Sequence, residues 1–222
     1  MARPLGAVSR VLRIQGVPQR LILAVGLAVV ACGGGGPEEG VQPQALALPT
    51  AGIAGQPISL YPLTMIAASP DLGWDDLLRP REAALHRADS VIGTFLTERA
   101  PEVQWILPDE LRRAASRAPG MLVDPAHMST AVLRASAVAV VPDPLRSQMR
   151  NLTAVAGDRY AAVPAALVYA AAADGRAHAE LSMVLVDVRN GLVAWRTLAS
   201  GEGDDPASAL WAALTTLVPD IP

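Results

Sequence analysis

Between residues 179 and 186 apolar side chains recur with a period of two. Ala179, Leu181, Met183 and Leu185 interleave with Glu180, Ser182, Val184 and Val186; Asn190-Gly191 follows, and residues 192–199 return with Trp195 as their largest side chain. A period of two is the signature of a strand. Asn-Gly tolerates the positive φ angles of a two-residue hairpin turn. This pattern predicts an antiparallel hairpin and commits that part of the chain to a sheet.

The flanking segments alternate between strand-like and helix-like. Residues 58–66 predict a strand in which Pro62 marks an edge, a bulge or an early end. Residues 81–100 carry Leu85, Ala88, Ile92, Phe95 and Leu96 on one helical stripe, stopped by Pro101. Val103-Gln-Trp-Ile-Leu107 predicts a short strand, and Pro108-Asp109 opens a helix that runs to Arg117 before Pro119-Gly120. Asp124-Pro125, Asp143-Pro144 and Asp205-Pro206 predict three more helix starts, with Asp as N-cap and Pro in the first turn. The second of these turns Leu145, Met149, Leu152 and Val155 inward and ends at Gly157; the last places Leu210, Ala213, Leu214 and Leu217 on one face. Residues 159–170, with Pro164 central, predict an edge or bulged strand. The order β-α-β-α-α-α-β-β-β-α implies a single α/β (α+β) domain over residues 58–222, a two-layer sandwich on a mixed sheet of about 5 strands with about 4–5 helices.

The 222 residues include one cysteine, Cys32, which excludes an internal disulfide framework and any multi-cysteine metal site. All 18 cations are arginine, against 21 acids. Arg3, Arg10, Arg13 and Arg20 make a basic front without an acid, and an apolar run over residues 21–30 leads to Ala31-Cys32. A basic region, a short apolar region and small residues at the cut describe a secretory signal peptide over residues 1–31. The run is too short for a membrane-spanning helix. Residues 32–57, rich in Gly and Pro, read as a flexible tether, with residues 41–48 as an alternative early strand. Without the four leader arginines the chain holds 14 cations and 21 acids, a net charge of −7. Such a balance carries no nucleic-acid signature.

Val29-Val30-Ala31-Cys32 resembles the lipobox of bacterial lipoproteins. The resemblance implies cleavage between Ala31 and Cys32, and covalent diacylglycerol and N-acyl lipid on Cys32. It implies a membrane anchor in the cell envelope, facing the periplasm, with Gly33 leaning toward the outer membrane. Further on, Leu60-Tyr61-Pro62 and the hairpin residues Asp187, Gly191 and Trp195 are similar to a group of periplasmic α/β domains. That group includes the curli-secretion lipoprotein, the lipoprotein activator of penicillin-binding proteins and the N-terminal domain of the Tol-Pal β-propeller protein. The tether is shorter than in the penicillin-binding-protein activator, and the long amphipathic hairpins of a secretion pore are absent. The resemblance implies a non-enzymatic accessory module that binds another envelope protein. An envelope hydrolase and a subunit of a ring-forming assembly stand as the alternatives.

Motifs for chemistry are sparse. His86, His127 and His178 fall in no metal-binding spacing, and no G-x-S-x-G elbow occurs. His86 with Asp89, and His127 with Asp124, read as surface contacts or caps. Gly201-Glu-Gly-Asp-Asp205 offers oxygen ligands for Ca²⁺ but also reads as a turn leading into a helix N-cap. No catalytic residue, metal or non-lipid cofactor is expected. The partner-binding candidates are Trp74, in an acidic loop, and Arg113 and Arg117, four apart on one helix face.

Overall fold

The computed structural model describes residues 46–219. Six strands form one mixed sheet: β1 (Pro57–Leu60), β2 (Ile66–Ala68), β3 (Gln104–Ile106), β4 (Tyr160–Ala171), β5 (Ala177–Asp187) and β6 (Leu192–Gly203). Their order is β3-β1-β4-β5-β6, with β2 pairing farther along β4. The pairs of β1 with β3, β1 with β4 and β2 with β4 are parallel; those of β4 with β5 and β5 with β6 are antiparallel. The α-helices among the described residues are α1 (Thr50–Ile53), α2 (Arg81–Arg99), α3 (Pro108–Ser116), α4 (Leu145–Ala156) and α5 (Pro206–Leu217). The expected α/β class and mixed sheet are therefore observed, with six strands where about five were expected.

The alternation in β5 sorts its side chains by face. Ala179, Leu181, Met183 and Leu185 join the core under α2 and α5, with Ile92, Phe95, Leu96, Leu210 and Leu214. Val184 and Val186 join a second core with Leu111, Leu145, Met149 and Leu152 of α3 and α4. Glu180, farther along the same face, is exposed. The point where β5 changes from alternating to continuously apolar is thus where the second face becomes covered. In β4 the register shifts between Pro164 and Ala166. This bulge carries Leu167 and Tyr169 into the first core while Ala161, Val163 and Ala165 serve the second.

Several expectations are corrected. The hairpin turn is not the two residues Asn190-Gly191, because β5 stops at Asp187 and β6 starts at Leu192. Asp187 forces the longer loop: its carboxylate accepts from Arg189 N (3.1 Å) and Asn190 Nδ2 (3.3 Å), while its carbonyl accepts from Gly191 N (2.8 Å). Gly191 supplies the positive φ, 76°. Asp124 caps only a 3-10 turn (Pro125–His127), because the residues that follow have no helical stripe to bury. Asp143 is not an N-cap: α4 begins at Leu145, and the Asp143 carboxylate accepts from Ser147 Oγ (2.8 Å). Val155 is 52% exposed, since the buried face of α4 steps from Leu145 to Met149 and Leu152, and residue 155 falls off that stripe.

The last part of the expected tether belongs to the fold. Leu46 N donates to Thr197 Oγ1 (2.9 Å), Leu48 N donates to Leu217 O (2.8 Å), and Leu48 and Ile53 are buried. Two apolar side chains with a matching surface outweigh the Gly and Pro around them. Residues 46–49 are not a strand; residues 33–45, with the rest of the tether expectation, lie outside the described residues.

Candidate functional site

The break in the first strand organises one side of the molecule. Pro62 has no N–H to continue the ladder, so β1 ends at Leu60 and pairing resumes only at Ile66. The chain between needs other partners. Leu63 N donates to Asp89 Oδ1 (2.7 Å) on α2, Arg81 Nη2 donates to Thr64 O (3.1 Å), and the Thr64 and Thr130 hydroxyls meet at 2.8 Å. Asp89 is 5% exposed, and Arg112 Nη2 from α3 reaches its Oδ2 at 2.7 Å. Burial pushes the Asp89 carboxyl above its ordinary range, while the Leu63 N–H and Arg112 pull it back. Arg112 Nη1 also reaches Asp109 Oδ1 (2.7 Å) and lies 3.4 Å from His86 Nδ1.

Two clefts flank α2. The polar one, about 340 Å³, runs between α2 and α3 and includes His86, Asp89, Ser90, Arg112 and Arg113. Asp89, Asp109 and His86 all gather around Arg112, and Ser90 Oγ donates to His86 O (2.9 Å) within the helix. No side chain here is arranged as a nucleophile beside a free base. The other cleft, about 490 Å³, is largely apolar and lies between α2, the start of α5 and the loop over residues 76–79. Ile66, Ala88, Val91 and Leu210 line it, with Asp76, Arg79 and Arg87 around them. Tyr169 also lines it; its hydroxyl donates to Pro206 O (2.9 Å), and Trp74 packs edge-on against its ring at 5.3 Å. Burial holds the Tyr169 phenol above its usual range, with Asp205 adding to the shift.

The candidates read from the sequence fall on the loop before α2 and at the end of α3. Trp74, half-buried, supports the apolar cleft; Arg113 borders the polar cleft across α2, and Arg117 is exposed just beyond α3. Arg117, the C-cap with right-handed helical backbone angles, follows Arg113 by one turn at the end of α3. His86 approaches Arg112 rather than Asp89, which faces inward, whereas His127 does meet Asp124, at 3.6 Å on the surface. In the Gly201–Asp205 segment Asp205 caps α5, accepting from Ala207 N (2.8 Å) and Ser208 N (3.0 Å), and Glu202 pairs with Arg176. These capping bonds hold the Asp205 carboxyl below its usual range. Among the described residues no three His, Cys, Asp or Glu side chains gather, and no helix is long and apolar enough to cross a membrane. Ala31 and Cys32 lie outside the described residues.

The sequence reading missed the Asp89–Arg112 pair and the Arg159–Asp187 pair (2.6 Å) at the turn end of the hairpin. It also missed Arg196, which donates to the carbonyls of Leu133 (3.1 Å), Ser136 (3.0 Å) and Val138 (2.6 Å) and pins that irregular segment to the sheet. These partners are 23 to 63 residues apart, and no local pattern marks them.

No family model matches the chain, and no curated protein matches it. Among solved structures, the fold is similar to a PelC dodecamer from Paraburkholderia phytofirmans (TM-score 0.39, 15% identity, 79% of this chain and 94% of that one). It is also similar to the LpoB C-terminal domain from Salmonella enterica (0.36, 15%, 68% and 84%) and to the NMR structure of Escherichia coli LpoB (0.36, 13%, 90% and 94%). At this level the likeness concerns the fold alone.

Proposed function

We propose that this chain is a lipid-anchored cell-envelope protein whose α/β domain is a non-enzymatic accessory module for another envelope protein. The anchor is the lipid on Cys32, reached through the lipobox resemblance. The observation that carries the binding reading is the apolar cleft beside α2: an open hollow of about 490 Å³, backed by Trp74 on Tyr169 and ringed by Asp76, Arg79 and Arg87. An apolar hollow with an aromatic support and a charged rim suits one apolar anchor side chain of a partner. Leu77, 51% exposed at its mouth, extends the apolar surface.

Two measurements test this. A photo-crosslinking side chain at position 77 in intact cells should give one discrete adduct. Ala207→Trp, which fills the cleft from the α5 side, should abolish the adduct, and the same crosslinker at position 117 should not give it. An adduct indifferent to Ala207→Trp sinks the cleft reading, and turnover of an envelope substrate without any adduct sinks the accessory reading. For the anchor, Cys32→Ser should lose palmitate labelling and membrane sedimentation; retention of both overturns it.

A further inference from the structure

Arginines collect where the C-terminal end of α4 meets the turn between β5 and β6. Arg150 comes from α4, Arg159 immediately precedes β4, and Arg189 sits in the turn; all three line one cleft of about 450 Å³. Arg146, one helical turn before Arg150, packs its side chain over Gly191 at the same end of the molecule. Asp187 fixes two of these groups. Its Oδ2 accepts from Arg159 Nε (3.2 Å) and Nη2 (2.6 Å), and its Oδ1 accepts from Arg189 N (3.1 Å). The Tyr160 ring supports the Arg159 guanidinium at 4.9 Å. Between the two, Val188 is 2% exposed and seats the turn on the core.

The donors of this cleft are not used up. A guanidinium carries five N–H groups, and Arg159 Nη1 takes no part in the bonds to Asp187. The exposed side chains of Arg150 and Arg189 form no hydrogen bond or ion pair among the described residues. Asp158 also lines the cleft, but its carboxylate oxygens are buried and turned to Ser59 and Thr153, so a solute meets the guanidinium groups. The end of α4 supplies only a partial negative charge, too little to neutralise them. Grouping like charges costs free energy, which a bound anion recovers. Guanidinium groups grip phosphates through paired N–H donors. A phosphomonoester offers three acceptor oxygens and close to two negative charges at neutral pH, one for each guanidinium that lacks an acidic partner.

We propose that this cleft binds a phosphomonoester, gripped by Arg150 and Arg189 against an Arg159 that Asp187 holds in place. A lipid headgroup and a free phosphate ester share this chemistry. Asp187 is a positioning residue here. The site shares no residue with the apolar cleft and does not depend on it.

Full-length protein in neutral-detergent micelles is titrated calorimetrically, at constant ionic strength, with glycerol 3-phosphate and with acetate. Saturable binding of glycerol 3-phosphate is expected, with acetate at least about tenfold weaker. The Arg150→Gln, Arg189→Gln double variant should weaken glycerol 3-phosphate by a similar factor. The Arg134→Gln, Arg176→Gln double variant removes the same charge elsewhere on the surface and should leave binding unchanged. Asp187→Asn makes the cleft more positive but releases Arg159, so it should weaken binding rather than strengthen it. The exposed Arg150 and Arg189 pair keeps the test readable if Asp187→Asn fails to fold. Micelles doped with phosphatidic acid or with phosphatidylcholine separate the two sources. Displacement of glycerol 3-phosphate by phosphatidic acid at about a tenth of its concentration or less, and not by phosphatidylcholine, assigns a lipid headgroup; without it, binding of glycerol 3-phosphate assigns a free phosphate ester. No saturable heat, equal binding of acetate, equal losses in the two arginine double variants, or tighter binding by folded Asp187→Asn overturns the proposal.

Discussion

Asp89 holds three pieces of chain together: it accepts Leu63 N from the broken strand, sits on α2, and receives Arg112 from α3. Removing Arg112 leaves a carboxylate at 5% exposure with one N–H for company. Arg112→Met should cost about 2–4 kcal/mol at neutral pH, because an unpaired buried charge is the expensive case. The sign with pH follows from the direction of the shift. The folded-state value of Asp89 lies above the unfolded one, so the cost is absent below the ordinary carboxylate range and grows as pH rises through the folded value. Urea midpoints should show a larger deficit at pH 7.5 than at pH 5. An equal deficit at both would mean that Asp89 is not the charge left behind.

At the scale of elements, β6 and α5 are packed backbone to backbone. A Cβ on Gly201 would overlap Ala213 N, and one on Gly203 would overlap Ala209 N, both on α5. Backbone cannot yield as a flexible side chain can, so helix and strand must separate. Gly201→Ala should destabilise by about 3 kcal/mol or more, read as a fall in the denaturation midpoint. Gly175→Ala in the β4–β5 turn has open space for its Cβ and carries only the strain of a positive φ, 85°, so it should cost less. A matching loss in both would contradict the close contact. The Gly201–Asp205 string reads as an acidic loop, but its glycines are what let α5 lie on the sheet.

For the whole molecule, the folded unit reaches into the stretch expected as tether. Deleting residues 1–45 should leave the denaturation midpoint unchanged within a few tenths of a kcal/mol. Deleting residues 1–56 removes buried Leu48 and Ile53 and should lower stability by up to about 5 kcal/mol. Equal midpoints for the two truncations would show that residues 46–56 do not belong to the cooperative unit.

Local chemistry was enough for much of this architecture. The strand period of β5, the apolar stripe of α2 ended by Pro101, the Asp205-Pro206 start of α5 and the Gly157 stop of α4 depend on neighbours within a turn or two. Each is written in consecutive residues. Pro62 likewise announced a fault in the first strand, because a missing N–H is a property of one residue. The tertiary structure alone decided what repairs that fault, which end of β5 is covered on its second face, and that Arg196 reaches the carbonyls of Leu133, Ser136 and Val138. Those outcomes join residues far apart along the chain, and burial and pairing at that range are set by how the layers pack rather than by local spacing.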